Sequence, residues 1–174
     1  MLVRRKCNIN TVKIRKAGRE DLPRVTAIYD TARKFMRKNG NNSQWGRGDA
    51  PEDLIENDIN VGRLYVIENE SGVHGVFMFA IGEDSCYLEI ENGKWFDDST
   101  YGVIHRVASD GEIRGVLAMA VKFAKEQISH LRMDTHQDNK VMQRALEKNG
   151  FIKCGIIHVS DKTERIAYEL CERK

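Results

Sequence analysis

The pattern that most constrains this chain runs from Tyr101 to Phe151. An apolar run suited to a strand (YGVIHRVAS) leads into a glycine-containing turn (DGEIRGV) and then into an amphipathic helix. A second strand, HLRMDTH, is followed by a polar Asp-Asn-Lys turn and a helix that ends in Asn-Gly-Phe. A strand that passes through a glycine turn into a helix presents unpaired N–H groups to phosphate oxygens. The segment therefore predicts a pocket for a ligand that carries a pyrophosphate.

The rest of the chain predicts a mixed α/β sheet that is antiparallel in its N-terminal part. Alternating apolar residues indicate strands, and apolar residues three or four positions apart indicate helices. The predicted strands outside the central segment are Thr11–Arg15, Arg63–Glu68, Gly75–Ile81, Cys86–Glu91, Lys153–Val159 and Arg165–Leu170. Two helices are predicted outside it: one begins near Glu20 and ends at about Lys38, and a short one covers Pro51–Ile59. Residues 39–50, rich in Asn and Gly, form a loop long enough to be a lid or a binding loop.

Size and composition are those of an ordinary globular domain. The chain has 174 residues, of which 41% are hydrophobic and 31% charged, and its formal net charge is +2. We expect a basic tail over residues 1–10 and one domain over residues 11–174. The small net charge argues against nucleic-acid and membrane partners, and no apolar run approaches the roughly 20 residues of a spanning helix. With no secretory signal and no CxxC pair, we expect reduced thiols and a cytoplasmic location.

Gly111 and Gly115 bracket the turn between the central strand and its helix. Glycine lets backbone amides approach a phosphate closely, and the helix start adds a partial positive charge. Arg114, between the glycines, suits a charge-assisted bond to phosphate or a role in holding the loop. Glycine at such a turn also serves packing alone, so its functional meaning depends on the surrounding sequence.

Three segments supply that meaning, because in them the chain resembles the GCN5-related N-acetyltransferase (GNAT) family. IRKAGREDLPRVTAIYDTA resembles the family's first strand and helix, HRVASDGEIRGVL its fourth strand and pyrophosphate loop, and DTHQDNKVMQRALEKNGF its fifth strand, Asn-containing turn and next helix. The resemblance extends from Val12 to Glu169. It implies antiparallel N-terminal strands, a splayed parallel pair of strands in the centre of the sheet, and acetyl-CoA as the acyl donor to an amine.

The resemblance also implies where the donor binds. Acetyl-CoA would lie where the strands near 102–109 and 131–136 splay, and backbone N–H groups of the first strand would polarise the thioester carbonyl. Asn139 matches an Asn near the cofactor arm in the family, and a helix cap explains the same residue equally well. The residues expected to bind the donor are Val107, Ala108, Ser109, Gly111, Glu112, Ile113, Arg114, Gly115, Val116, Leu117 and Asn139.

Several side chains depart from the family pattern. In one register of the loop, Glu112 replaces a Gln or Arg and Leu117 replaces a Gly or Ala. In the register that begins at Arg114, Leu117 and Met119 replace both small residues. Leu146 stands where the family often has a Tyr that protonates the departing thiolate. A thiolate is a good leaving group, so three routes are possible: water protonates it, another residue protonates it, or it leaves unprotonated. The loss of the Tyr therefore does not exclude catalysis.

His105 is the leading candidate for the base that accepts the proton of the amine. It lies on the strand that would carry the thioester, and an imidazole titrates near neutral pH. Glu89 and Glu91, on one face of a predicted neighbouring strand, are weaker candidates that would act through water or attract a cationic amine. Structural roles compete with these: a strand His satisfied by a neighbour, and a solvated sheet face. Arg106 points away from His105 and suits the surface or a salt bridge.

Side chains in two polar loops are candidates for the acceptor site. Gln44 and Trp45 follow the first helix, and Trp95 lies in the segment GKWFDD. A Trp in such a loop lines a pocket or anchors the loop to the core. His136 has no second His or Cys at ligand spacing, so we expect no metal.

These features favour an N-acetyltransferase that moves an acetyl group from acetyl-CoA directly to a primary amine. No clear Cys–His or Ser–His pair indicates an acyl-enzyme. The acceptor is expected to be a small-molecule or peptide amine, and the chain a monomer or a homodimer. The alternative, motivated by the altered loop and Leu146, is a protein of the same fold that binds CoA or acyl-CoA with little or no turnover. A nucleic-acid-binding role would rest on Arg4, Arg5 and Lys6 alone, and such a short basic run is ordinarily solvated.

Overall fold

The computed structural model describes residues 11–42, 44–45 and 52–171. The predicted basic tail at 1–10 and much of the loop after the first helix lie outside these residues. The strands are β1 (Lys13–Lys16), β2 (Leu64–Asn69), β3 (Gly72–Ile81), β4 (Gly102–Ser109), β5 (Leu131–Thr135), β6 (Ile152–His158) and β7 (Glu164–Leu170). The α-helices are α1 (Leu22–Lys38), α2 (Glu52–Asn60), α3 (Val116–Lys125) and α4 (Lys140–Lys148).

The strands form a 7-stranded sheet in the order β1-β2-β3-β4-β5-β7-β6. Neighbouring strands are antiparallel except β4 and β5, which are parallel. Helix α3 makes the crossover that a parallel pair requires. The predicted mixed α/β sheet, antiparallel at its N-terminal side with a parallel pair in the centre, is confirmed.

Strands β4 and β5 pair only where they begin. Gly102 lies opposite Leu131 and Val103 opposite Arg132, and the ladder ends there. Both strands nevertheless continue, β4 to Ser109 and β5 to Thr135. The unpaired lengths leave a gap in the sheet that opens toward the carboxyl ends of the two strands.

A β-bulge in β4 lies at the edge of this gap. Val76 and Met78 of β3 are two residues apart, but their partners on β4, Ala108 and His105, are three apart. Arg106 has a φ of 52°, a left-handed conformation that is uncommon for a side chain of this size. The extra residue redirects the backbone of β4 just where it faces the gap.

Two hydrophobic cores cover the two faces of the sheet. Helices α1 and α2 pack on one face, where Ile28 and Ile55 belong to the same buried cluster as Ala167 of β7. Helices α3 and α4 pack on the other face, where Ala120 and Leu146 are fully buried. In the part of the chain that the structure describes, none of the helices combines the length and apolar character needed to cross a membrane.

The prediction of a strand over Cys86–Glu91 is wrong. Ser85–Tyr87 form a 3-10 turn, and at its start the carboxylate of Asp84 accepts a hydrogen bond from the Cys86 N–H (2.9 Å). The Tyr87 side chain is buried, and Leu88 is 60% exposed. The alternation of apolar and polar residues over 86–91 therefore does not reflect a strand; it includes a turn that places the Tyr87 ring in the core.

The segment after this turn reaches the outer strand β6 through its backbone. Glu91 and Ile156 exchange two backbone hydrogen bonds of 2.8 Å each, and the Lys94 N–H donates to the Cys154 carbonyl at 3.1 Å. A Cβ atom on Gly93 would lie 1.8 Å from that same carbonyl oxygen. Only glycine therefore admits so close an approach at this position.

We expect Gly93→Ala to lower the free energy of unfolding by about 1–3 kcal/mol, because backbone atoms have to shift to admit the new Cβ. Urea unfolding followed by circular dichroism measures the change. Lys94→Ala, at the exposed neighbouring position, is the control and should change stability by less than about 0.5 kcal/mol. Equal stability of Gly93→Ala and the wild type would contradict this account of the loop.

Candidate active site

An open cavity of about 600 Å³ lies where β4 and β5 separate. Its walls come from α1, from the first turns of α3 and α4, and from Gln44 and Trp45 after α1. Strand β4 lines it without interruption from Ile104 to Ser109. The volume is within the range of small-molecule sites, and the wall combines free strand backbone with polar side chains.

The imidazole of His105 lies between two carboxylates in the wall of this cavity. Its Nε2 is 2.9 Å from Oδ2 of Asp84, and its Nδ1 is 3.5 Å from Oδ1 of Asp134. The hydroxyl of Tyr87 donates to the same Asp134 oxygen at 2.7 Å. A proton taken up by this ring is therefore met by negative charge on both sides.

The protonation of these partners follows from their surroundings. The hydrogen bond with His105, which outweighs the opposing effect of burial, lowers the pKa of Asp84 to about 2. Burial, followed by the charge of Asp134, raises the pKa of Tyr87 well above its ordinary range. Asp84 is thus a carboxylate at any physiological pH, and Tyr87 is a neutral hydrogen-bond donor.

The bulge in β4 is held from two directions. The hydroxyl of Tyr29, on α1, donates to the backbone carbonyl of Arg106 at 2.9 Å. The guanidinium of Arg106 pairs with Asp58 of α2, a fully buried carboxylate that also accepts from Nε of Arg63 at 2.6 Å. These contacts compensate the strained conformation of Arg106 and set the direction of the backbone groups beside His105. The salt-bridge interpretation of Arg106 is confirmed.

The turn between β4 and α3 is fixed by its own acidic residue. One oxygen of Asp110 contacts Arg24 and Nδ1 of His74, the latter at 2.8 Å, and the other oxygen accepts the Glu112 N–H at 2.9 Å. Burial opposes ionisation of Asp110, but the Glu112 amide, His74 and Arg24 together lower its pKa. The carboxylate of Asp110 is therefore bound within the protein rather than directed at a ligand phosphate.

Helix α3 begins with its amide groups free of helical partners. Gly115 precedes the helix at a φ of 76°, a left-handed conformation that glycine adopts without strain. The first N–H groups of any helix lack acceptors within it, and here Val116 and Leu117 at this start line the cavity. The start of α3 is thus a place where anionic oxygens are favoured.

The predicted donor-binding residues divide into two sets. Six line the cavity: Val107, Ala108, Ser109, Val116, Leu117 and Asn139. The tip of the turn lies outside the lining, with Ile113 buried in the core and the others exposed: Gly111, Glu112, Arg114 and Gly115. Backbone groups at the base of the turn therefore meet the cavity, and the side chains at its tip point elsewhere.

Asn139 has the capping role and also faces the cavity. Its Oδ1 accepts the Met142 N–H at 3.1 Å, which caps α4. Its Nδ2 donates to Oε1 of Gln44 at 2.8 Å. Gln44 lines the cavity as well, so the loop after α1 is tied to the start of α4 beside the predicted acceptor site.

Among the aromatic candidates, Trp45 lines the cavity and Trp95 does not. The Trp45 ring packs edge-on against Tyr29 at 5.5 Å between centroids. Nε1 of Trp95 donates to the Tyr87 carbonyl at 2.9 Å, and the guanidinium of Arg132 lies 4.0 Å above its ring. The prediction that Trp95 contacts the acceptor is therefore corrected: Trp95 anchors its loop to the core.

The weaker base candidates lie away from the cavity. Glu89 and Glu91 are exposed and are not among the lining residues. Glu91 is 3.9 Å from Nδ1 of His158 on β6. Because residues 86–91 do not form a strand, the two glutamates do not share a sheet face beside His105, and this prediction is corrected.

Leu146 is part of the core beneath α4. It is fully buried and belongs to the cluster that α3 and α4 form on the sheet. It is not among the lining residues of the cavity. No proton donor stands at this position, and the side chain fills space that the core requires.

The sequence indicates His105 but not the carboxylates that hold it. Asp84 lies between two predicted strands, and nothing in its local sequence links it to a residue on β4. Asp134 could have been found from the sequence, because it is an acidic residue on the strand predicted to lie beside the strand of His105. Within the described residues, no cluster of three or more His, Cys, Asp and Glu side chains is arranged to hold a metal ion.

We expect acid to lower the free energy of unfolding of the wild type by more than it lowers that of Asp84→Asn. The folded-state pKa of Asp84, about 2, lies below its ordinary value of 3.8, so its contribution is complete above about pH 4 and is lost as pH falls toward 2. The loss amounts to about 2 kcal/mol. Urea unfolding of both proteins at several pH values in this range measures the difference, and parallel pH profiles would contradict the prediction.

Comparison with known proteins agrees with this geometry. No protein-family model matches the chain, and no curated protein matches it. Among solved structures, a GNAT-family acetyltransferase from Streptococcus agalactiae 2603 is 27% identical with a TM-score of 0.80, over 94% of this chain and 96% of that one.

Two further structures share the fold at lower identity. A GNAT-family acetyltransferase from Listeria monocytogenes 4b F2365 is 17% identical with a TM-score of 0.65, over 91% of this chain and 95% of that one. The ribosomal-protein-S18-alanine N-acetyltransferase from Escherichia coli is 12% identical with a TM-score of 0.60, over 94% and 97%. The chain is therefore a structural relative of the GCN5-related N-acetyltransferases along nearly its whole length, as the sequence resemblance indicated.

Proposed function

We propose that the protein is an acetyl-CoA-dependent N-acetyltransferase that moves the acetyl group directly to a primary amine. The observation that carries the proposal is His105, held between Asp84 and Asp134 in the wall of a cavity that opens where β4 and β5 separate. Structural relatives named as acetyltransferases support the same reaction class.

Backbone groups supply the site for the donor in this proposal. The thioester arm of acetyl-CoA would lie along β4 past the bulge, where Val107 and Ala108 line the cavity. N–H groups of a strand that lacks its neighbour are free to polarise the thioester carbonyl and to stabilise the oxyanion that follows. The amides at the start of α3 suit the pyrophosphate, because they favour negative charge whatever side chains follow.

His105 would accept the proton of the attacking amine. A neutral imidazole that donates from Nε2 to Asp84 keeps the Nδ1 lone pair as an acceptor. The Nδ1–Asp134 separation of 3.5 Å is longer than an ordinary hydrogen bond, so that nitrogen is not committed to its neighbour. Once Nδ1 takes the proton, Asp134 stabilises the resulting imidazolium.

Direct transfer is favoured over an acyl-enzyme. The cavity is lined by one cysteine of the described residues, Cys86, and burial followed by the charge of Asp84 raises the pKa of its thiol. A thiol kept protonated is a poor nucleophile. In the proposed step the amine nitrogen bonds to the thioester carbon and the carbon–sulfur bond breaks. CoA leaves as a thiolate that Leu146 cannot protonate.

The alternative is a protein of this fold that binds CoA or acyl-CoA with little or no turnover. Two positions favour it: Leu117 lines the cavity at the start of α3, where a small residue would leave more room, and Leu146 removes one proton donor. Binding of CoA without thiol release distinguishes this alternative from the enzyme.

We expect isothermal titration with acetyl-CoA to show a Kd below about 1 mM, since the arm and the pyrophosphate each find backbone donors. Adenosine 3′,5′-bisphosphate, which lacks the thioester arm and the pyrophosphate, serves as the control ligand and should bind more weakly. Absence of acetyl-CoA binding at millimolar concentration would reject both the enzyme and the binding module.

We expect His105→Gln to lower kcat by roughly 10²- to 10⁴-fold and to flatten its pH profile, because the residue that accepts the proton is lost. The assay measures thiol release from acetyl-CoA with a panel of amines between about pH 6 and about pH 9. His158→Gln, at an exposed position outside the cavity, is the matched control. A His105→Gln enzyme with an unchanged kcat across this range would remove His105 as the base.

A further inference from the structure

The arginines that line the cavity differ in how their charge is balanced. Arg33 pairs with Asp30 at 3.3 Å, and Arg63 and Arg106 share the buried carboxylate of Asp58. Arg165, on β7, lines the same cavity and is only 7% exposed, yet it has no carboxylate partner among the described residues. A guanidinium buried to this degree carries a desolvation cost that a neutral oxygen compensates only in part.

Among the described residues, the hydrogen bonds of Arg165 all go to neutral oxygens. Its Nη1 donates to Oγ1 of Thr163 at 2.7 Å and to the Glu164 carbonyl at 3.0 Å, and its Nη2 donates to the Gln44 carbonyl at 3.1 Å. Asp161, an exposed acid of the same hairpin, accepts from the backbone N–H and the hydroxyl of Thr163, and it interacts with Arg165 through its charge without forming an ion pair. These bonds hold the guanidinium in place without neutralising it.

The remaining donors of Arg165 form a usable pair. The bonds above use Nη1 twice and Nη2 once, so the Nε hydrogen and one Nη2 hydrogen have no acceptor among the described residues. Adjacent guanidinium donors bind the two oxygens of a carboxylate side by side. The side chain is thus fixed and charged, and no carboxylate of the described residues forms an ion pair with it.

Sheet register relates Arg165 to Asp134, the carboxylate beside His105. Asp134 on β5 pairs with Ala167 on β7, and Arg165 is two residues before Ala167, so both side chains leave the same face of the sheet. Such diagonal neighbours have Cα atoms roughly 7–8 Å apart. Ala167 packs in the core beneath α1, so this face is opposite to α3 and to the predicted pyrophosphate site.

We infer that the acceptor is a small zwitterion: a primary amine that also carries a carboxylate, of the size and chemistry of a free amino acid. Arg165 binds the carboxylate, and the ammonium group enters beside Asp134 and His105. It gives one proton to solvent to become the free amine, and His105 accepts the second proton when the amine attacks. The inference rests on the proposed function, and it adds the charge of the acceptor. The inference disfavours the N-terminus of a protein as acceptor, because that amine has no neighbouring carboxylate.

The test compares amines in matched pairs. Free amino acids and their carboxamides are assayed for thiol release from acetyl-CoA, so that each pair differs only in the anionic group. We expect each accepted acid to exceed its amide by roughly 10- to 100-fold in kcat/KM, the range of a charge-assisted hydrogen bond. Arg165→Met should lower kcat/KM for the acid by a similar factor and leave the amide unchanged.

Two further variants separate charge from folding. Arg165→Lys keeps the charge and should retain part of the preference for the acid, and Arg144→Met, at an exposed position on α4, should behave as the wild type. Thermal unfolding of each variant checks that the fold is intact. Equal kcat/KM for acid and amide in the wild type, with Arg165→Met unchanged, would overturn the inference while the proposed acetyl transfer stands.

Binding measurements cover the case without turnover and identify the anion. Titration of amino acids into the CoA-loaded protein should show binding that Arg165→Met abolishes, whereas the affinity for CoA itself should stay within about twofold. Equal weakening of CoA binding by Arg165→Met would assign Arg165 to the donor's phosphates and overturn the inference. So would the absence of amino-acid binding to the CoA-loaded wild type. Failure of the wild type to bind any CoA rejects the proposed function instead.

Discussion

The geometry of the site depends on the ion pairs that the buried carboxylate of Asp58 forms with two arginines. The carboxylate accepts from Arg63 and Arg106, and it thereby supports the left-handed conformation of Arg106 in β4, at a φ of 52°. Tyr29 secures the carbonyl of the same residue. These contacts stabilise the bulge, at which the backbone of β4 changes direction. Helices α1 and α2 therefore determine how a strand in the middle of the sheet faces the gap beside it.

Charge is distributed unevenly around the cavity that this gap opens. Asp84 and Asp134 place negative charge around His105, and Arg165 places positive charge on the same sheet face. Each of these side chains is held by contacts that do not involve a ligand, such as the Tyr87 hydroxyl on Asp134 and the Gln44 carbonyl on Arg165. Preorganised charges of this kind cost little to align when a ligand binds.

Local patterns predicted much of this structure and failed where packing overrides alternation. The spacing in Leu22–Lys38 and the glycine turn before Val116 were sufficient for α1 and for the start of α3. Residues 86–91 alternate like a strand, yet the burial of Tyr87 makes them a turn. The sequence predicts Trp95 as a pocket residue because it does not show that the buried Arg132 stacks on the Trp95 ring.

Apart from the wrong strand at Cys86–Glu91, the pattern of the sequence was sufficient for the order of strands and helices, for the parallel crossover through α3, and for His105 as a polar side chain on the central strand. These features depend on spacing along the chain, which a sequence contains. Only the tertiary structure shows that Asp84 and Asp134 meet His105, and that Arg165 lies on the same sheet face with no ion-pair partner among the described residues. Such meetings depend on register and on a bulge between strands distant in the chain, and a one-residue shift would have sent each side chain to the other face.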